Sequence, residues 1–276
     1  MTRVKVNVDN FVRAETDRMF AGIQFDAGGV NTFAHNRTPA PIDKQTVIRL
    51  NRDTLYSFAV TDISAGATLT VPETDGRYLS VMIVNRDHFI NKVFHDPGTY
   101  ELTAEEFDAD YVLVAARTLV DPRDPDDVAK VAAIQDRLGL TARSARTFEM
   151  PEYDPASFDR TRGALLALAH DMDNFARSFG RRGEVDPVRH LIGTAAGWGG
   201  LPDTEATYVG VAPDLPVGEY ELRIADDVPV DGFWSISVYN AAGYFEPNTA
   251  DAYTINSIAA AREDDGSVVV RFGGGR

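Results

Sequence analysis

Asn51-Arg52-Asp53-Thr54-Leu55-Tyr56-Ser57 follows the strand-like run Thr46-Val47-Ile48-Arg49-Leu50. The heptapeptide sets an arginine, a carboxylate and a phenol where a strand meets a turn or a sheet rim. An arginine beside an aspartate can hold a carboxylate or phosphate in a fixed geometry, because the planar guanidinium donates parallel N–H bonds. The tripeptide recurs as Asn85-Arg86-Asp87, again after an apolar run, Leu79 to Val84. Three common residues can recur by chance, so the weight lies on the context: β-like segments adjoin both copies.

Working outward, strands are predicted from Gln45 to Leu50, Thr54 to Thr61, Ala67 to Val71, Arg77 to Val84 and Tyr111 to Thr118. They are short, rich in β-branched or aromatic residues, and separated by turn residues such as Pro72, Asp75 and Gly76. Regular strands at this spacing point to an antiparallel sandwich rather than alternating βαβ units. Ahead of them, residues 8 to 23 pattern as an amphipathic helix, with Asp9 or Asn10 as cap. Phe11, Val12, Met19, Phe20 and Ile23 fall roughly on one face, and Ala27-Gly28-Gly29-Val30-Asn31 breaks the pattern.

The character changes at Asp121-Pro122-Arg123-Asp124-Pro125-Asp126-Asp127. Val128, Val131, Ile134 and Leu138 then recur near helical spacing, with Gly139 closing the helix. A second helix is expected from Pro155 or Phe158 through Phe179, and a third from Asp186-Pro187 to Gly197. From Gly218 β character returns, with strands predicted at Glu219 to Ile224, Phe233 to Tyr239, Tyr253 to Ile258 and Ser267 to Phe272. The expected organisation is a helix and β-sandwich over 1–120, a helical insertion over 121–200 and a β domain over 201–276. Four strands make a poor complete sandwich. Its last strands are therefore expected to come from a C-terminal part beyond Gly273-Gly274-Gly275-Arg276, or from another segment.

Forty-two acidic residues against 27 basic ones give a net charge of -15. That argues against nucleic acid, whose phosphates need a basic footprint, and against an anionic membrane surface. No run is long and apolar enough to span a bilayer, and the N-terminus lacks a signal-peptide core, which makes the cytoplasm the default. There is no cysteine, so disulfides, thiolate chemistry and sulfur-ligated zinc are excluded. A small-molecule ligand and homo-oligomerisation are both compatible with this composition.

Three stretches carry a family pattern. They are Asn51 to Ser57, Gly76-Arg77-Tyr78 before an apolar strand, and Phe233-Trp234-Ser235-Ile236-Ser237-Val238-Tyr239-Asn240. The last is followed by Gly243-Tyr244-Phe245-Glu246-Pro247-Asn248 and Tyr253-Thr254-Ile255. Together, over roughly Asp9 to Phe272, they resemble the bacterial family that pairs domain of unknown function 1254 with domain of unknown function 1214. The resemblance implies a mainly β fold with a helical insertion, an N-terminal immunoglobulin-like sandwich and a C-terminal jelly-roll-like sandwich. It implies no agreed reaction. Relatives tend to be longer, are often exported, and commonly continue into a segment with an Asn-aromatic-Leu-Pro element and a final Arg-Leu-Tyr strand.

The candidate ligand-binding set is Arg52, Asp53, Tyr56, Arg77, Trp234, Tyr239 and Asn248, expected in a cleft between the two sandwiches. Arginine would bind an anionic group, aromatics would cover an apolar body, and Asp53 would act as a base or orient Arg52. Hydrolysis is the first reaction to consider, on general grounds; no catalytic residue is assigned. The alternative is a non-catalytic binding or assembly module in which Arg52 and Asp53 form a structural ion pair. No cofactor is called for and no metal site is assigned. His88 and His95, beside Asp87 and Asp96, match no metal-ligand spacing, and His170 with Asp173 equally suits an exposed pair. A Gly-x-Ser-x-Gly elbow is missing, and alternation along one strand explains Ser235 and Ser237. Gly28-Gly29 and Gly197-Trp198-Gly199-Gly200 form no phosphate loop, and the acidic run from Asp121 reads as a solvated helix entry.

Overall fold

The strand Leu79-Ser80-Val81-Met82-Ile83-Val84-Asn85 is buried at every position. Alternate side chains point to opposite faces of a strand, so an uninterrupted apolar run belongs where both faces are covered. Val81 and Ile83 enter one core, whereas Met82 and Val84 enter another. A computed structural model describes residues 3–45 and 48–273 and divides the chain into two units. The first comprises 1–36, 56–118 and 132–208; the second comprises 37–55, 119–131 and 209–276.

In chain order the elements are α1 (Phe11–Ala27), β1 (Ala34–His35), β2 (Thr54–Asp62), β3 (Ala67–Val71), β4 (Leu79–Asn85), β5 (Ile90–Phe94), β6 (Gly98–Leu102), α2 (Ala104–Phe107) and β7 (Tyr111–Leu119). They continue as α3 (Pro125–Gln135), β8 (Gly139–Ala142), α4 (Pro155–Ala169), α5 (Pro187–Gly197), β9 (Tyr220–Ile224), β10 (Ser235–Ser237), β11 (Thr254–Asn256) and β12 (Val268–Phe272). The protein is mainly β, with open sheets and a few helices.

Within the first unit, one sheet has the order β1-β2-β7-β4-β5 and a second has the order β6-β3-β8. Their side chains share one core: Val81, Ile83 and Val114 from the larger sheet meet Leu69 and Leu102 from the smaller. The other face of the larger sheet is covered by Phe20 of α1 together with Phe148 and Leu201. Phe11 and Ala14 of α1 pack with Phe158, Leu165, Ile192 and Ala195 of α4 and α5. α1 ends at Gly28, whose φ of 75° and that of Gly29, 151°, suit residues without a Cβ. Their N–H groups donate to the carbonyls of Phe25 and Gln24 at 3.1 and 2.9 Å, satisfying two orphan acceptors of the last turn.

Several sequence expectations need correction. Gln45, Ile48, Arg49 and Leu50 are not strand residues, and Thr46 and Val47 lie outside the described residues. Arg49 has a left-handed φ of 51° and donates its N–H to the Gly243 carbonyl at 2.7 Å, so a loop contact replaces a ladder. Arg77 and Tyr78 are not strand residues: Asp75 and Gly76 form a turn at positive φ, which the Arg77 N–H closes on the Thr74 carbonyl at 3.1 Å, and β4 starts only at Leu79. α3 stops at Gln135, and Gly139 opens β8 instead of closing the helix. α4 stops at Ala169, ten residues before Phe179. Beyond it Asn174 Oδ1 accepts the Ala176 N–H at 3.0 Å, a local bond that competes with helix propagation. β5, β6 and β8 were not anticipated. α5 forms as expected: Pro187 occupies its first turn, and Asp186 Oδ1 accepts from Val188 and Arg189 N–H at 3.0 and 3.1 Å.

In the second unit, β9 pairs with β12 and β10 with β11, both antiparallel. β10 and β11 are shorter than their sequence windows, three residues each. A small core of Leu55, Val120 and Val131, with Val128 against it, lies in the same unit. α3 begins there with Asp126 and Asp127 in its first turn, where carboxylates complement the positive helix end. Asp127 also accepts the Asp121 N–H at 2.8 Å, so the acidic run is a helix entry. No helix among the described residues is long and apolar enough to cross a membrane.

Candidate functional site

Asn51 sets the geometry of the Asn-Arg-Asp turn. Its Oδ1 accepts the Asp53 N–H at 2.7 Å, the local bond by which asparagine mimics a backbone turn. Asp53 is 3% exposed. Its carboxylate accepts from Thr254 Oγ1 at 2.9 and 3.1 Å and from Asn256 Nδ2 at 3.0 Å. Thr254 and Asn256 alternate on β11 and therefore share one face. Asn256 Nδ2 also donates to the Val120 carbonyl at 3.1 Å, and the Asp53 carbonyl accepts the Val120 N–H at 2.9 Å. Burial pushes the Asp53 carboxyl above its ordinary pKa, against the donors Ser235, Asn256 and Thr254, which favour the anion.

Arg52 turns elsewhere. Its Nη1 donates to the Ala40 carbonyl, and its guanidinium carbon lies 5.4 Å from the centroid of the Tyr253 ring. The ion pair with Asp53 is not among those of the described residues; Arg52 acts on Asp53 only as a lesser favourable charge. Burial lowers the Arg52 pKa, and Asp251 opposes that more than Tyr253 or Asp53 does. An arginine remains cationic at neutral pH despite such a shift.

The guanidinium borders a cavity of about 470 Å³, wide open to solvent and lined by the second unit alone. Volumes of roughly 300–1,000 Å³ suit small molecules. Asp43 and Asp251 supply its other charged groups, and Tyr253 and Ile42 its larger apolar surfaces. Four prolines, at 39, 41, 122 and 247, complete the walls. Proline has a fixed φ and no N–H to satisfy, so it suits a firm apolar wall.

The walls are braced from behind. Tyr239 lies tilted against Phe245 with centroids 4.5 Å apart, and Phe245 meets Tyr253 at 5.7 Å. The Tyr239 hydroxyl donates to the Leu50 carbonyl at 3.1 Å. Gln45 clamps Phe245 from both sides, accepting its N–H at 2.8 Å and donating to its carbonyl at 2.9 Å. Asn248 closes the loop that carries Asp251: Nδ2 donates to the Ala252 carbonyl at 2.9 Å, and Oδ1 accepts the Ala252 N–H at 3.1 Å.

Of the seven expected site residues, Arg52 alone lines this cavity. Asp53, Tyr239 and Asn248 support the loops and strand around it, and Trp234, also in the second unit, is half-buried. Tyr56 and Arg77 belong to the first unit. The Tyr56 ring stacks on Phe58 at 5.5 Å, and Arg77 lies in the turn closed by Thr74. Asp43, Asp251, Tyr253, Thr254 and Asn256 were missed. Thr254-Ile255-Asn256 did carry a signal, since its polar alternation marks a strand face that needs a buried partner.

Among the described residues no group of three or more His, Asp or Glu could hold a metal ion. His88 is fully buried, with Nε2 accepting the Gly199 N–H at 2.9 Å and Nδ1 bonded to Thr194 at 2.8 Å. His95 bonds Glu205 at 2.7 Å, and His170 pairs with Asp171 at 2.8 Å.

Residues 30–142 match the model of a protein of unknown function, DUF1254, and residues 215–275 match that of a second, DUF1214. The chain thus carries a match to each of these two domains, in that N-terminal to C-terminal order. Arg52 and Asp53 fall in the DUF1254 match, whereas Asp251, Tyr253, Thr254 and Asn256 fall in the DUF1214 match. The cavity therefore draws on both domains. Among solved structures, the VPA0106 protein of Vibrio parahaemolyticus is similar over 96% of this chain and 88% of its own, at 18% identity and a TM-score of 0.67. That likeness is one of fold. An uncharacterised protein of Burkholderia cenocepacia aligns over 96% of this chain and 76% of its own, at 15% identity and a TM-score of 0.46. No curated protein matches the chain.

Proposed function

We propose that the protein binds a small molecule in the Arg52 cavity, with the guanidinium holding an anionic or strongly polar group and Tyr253 with the proline walls covering an apolar body. The observation that carries this reading is a half-buried guanidinium beside a cavity, anchored by one carbonyl and stacked on one ring, with no ion-pair partner among the described residues. Burial disfavours the charged form of Arg52. A guanidinium kept in that setting gains from an incoming anion, because charge-assisted bonds are strong where solvent is partly excluded.

Asp53 is a positioning residue in this reading. Its oxygens are taken up by Thr254 and Asn256, so it ties the Arg52 turn to β11 instead of meeting a ligand. Tyr239 and Asn248 do the same for the aromatic wall and the Asp251 loop. Binding is what this geometry supports; a hydrolytic role would rest on the lining carboxylates Asp43 and Asp251. The same proposal takes the stacked sheets of the first unit as an immunoglobulin-like sandwich and the C-terminal strands as part of a jelly-roll-like domain. The core that the two sheets of the first unit share, and the antiparallel pairing of the C-terminal strands, support it. A cytoplasmic location belongs to the proposal too.

Mass spectrometry of the purified protein under native and denaturing conditions tests the reading. A retained small molecule that is lost in Arg52→Ala, with the fold preserved, supports it. A retained molecule that Arg52→Ala keeps at full occupancy would move the site elsewhere and favour a binding or assembly module without this cavity.

A further inference from the structure

Arg52 and Asp251 border one cavity on independent anchors. The Ala40 carbonyl fixes the guanidinium. Asp251 has a left-handed φ of 50°, a conformation that costs energy for a residue with a Cβ. Its N–H donates to the Asn248 carbonyl at 3.2 Å, inside the loop that the Asn248 side chain closes on Ala252. Asp251 is the leading charge that favours cationic Arg52, yet the two form no ion pair among the described residues.

Opposite charges that border one cavity without closing on each other leave room for a ligand that supplies the complement of each. An anion-only ligand would meet two carboxylates, Asp43 and Asp251, for one guanidinium. A cation-only ligand would leave the half-buried guanidinium without its anion. Like charges placed together cost affinity, and charge complementarity sets specificity. Resting on the binding reading above, we propose that the cavity selects an amino carboxylate: its carboxylate on Arg52, its ammonium toward Asp251 with Asp43 as second acceptor, and its carbon chain against Tyr253.

Isothermal titration of the full chain tests this with five probes: glycine, β-alanine, 4-aminobutyrate, butyrate and butylamine. The three amino carboxylates vary the spacing between the charges; the last two each lack one charge. The expected result is that at least one amino carboxylate binds roughly tenfold more tightly than both single-charge probes. Asp251→Asn should then bring its affinity close to that of butyrate, while butyrate binding is held or improved. If butyrate or butylamine matches the amino carboxylates in the unaltered protein, the ligand class is wrong while the site stands. If no probe binds, or Arg52→Gln leaves every affinity unchanged, the site itself is overturned for such ligands. The comparison of probes on the unaltered chain decides the class even where Asp251→Asn fails to fold.

Discussion

The two copies of Asn-Arg-Asp share a turn and diverge in everything beyond it. Asn51 accepts the Asp53 N–H, and Asn85 accepts the Asp87 N–H at 3.0 Å. In the first unit, Arg86 makes two bonds, at 2.5 and 2.8 Å, to the fully buried Asp17, whose second oxygen also accepts from the Tyr153 hydroxyl at 2.8 Å. Asp87, partly exposed, pairs with Arg13 and Arg182. The second unit reverses the roles: the aspartate is buried among hydroxyl and amide donors, and the arginine borders a cavity. A charge closed on a buried counter-charge is structural, whereas one stacked on a ring beside open volume is available to a ligand. The local motif fixes the turn, and the elements packed against it decide which role each side chain takes.

The largest expected difference between the copies is in stability. Arg86→Ala strands the Asp17 carboxylate in the interior and should cost about 3–5 kcal/mol, the usual penalty for breaking a buried pair. Arg52→Ala should cost at most about 1 kcal/mol, since it leaves no buried carboxylate without donors. Urea unfolding of both variants measures the gap, and equal losses would break the contrast. Next in size, Asn256→Ala removes donors from the Asp53 carboxylate and the Val120 carbonyl and should cost about 1–3 kcal/mol. A neutral result would mean that β11 does not hold the turn.

The pH dependence should have opposite signs in the two units. In the first, burial alone would raise the Asp62 carboxyl, but Arg146, Ser144 and Ser64 outweigh it and hold the pKa well below the ordinary value. That stability is present above the unfolded carboxylate pKa, about 4, and is lost as pH falls through the folded value. Asp53 is shifted upward, so its contribution is present below the unfolded pKa and is lost as pH rises through the folded value. Asp62→Asn should therefore weaken the acid-side loss of stability, and Asp53→Asn should remove the fall on the rising side. Thermal melts from pH 3 to 7 check both, and Asp53→Asn with an unaltered profile would contradict the assignment.

Much of the fold was legible where one local signal agreed with one element. β3 spans Ala67 to Val71 as read from its short β-branched run before the turn residue Pro72, and α5 follows from Asp186-Pro187 as cap and first turn. β5 escaped because Ile90-Asn91-Lys92-Val93-Phe94 is an edge strand with mixed exposure, so its apolar pattern is broken. α4 was read too long because Leu168, Met172 and Phe175 keep a helical spacing, while Asp171, Asp173 and Asn174 favour local turns. In the candidate site, Arg52 stood out through its neighbours. Asp251 and Tyr253 did not, because they border the same cavity from about two hundred residues away in sequence, a separation that no local period records.

The most direct test is ligand occupancy of Arg52→Ala beside Arg86→Ala, each with its fold monitored by circular dichroism. Arg52→Ala should keep its melting temperature within a few degrees and lose the bound small molecule. Arg86→Ala should melt far lower and, where folded, retain it. A destabilised Arg52→Ala that still binds would contradict the division of roles between the two copies.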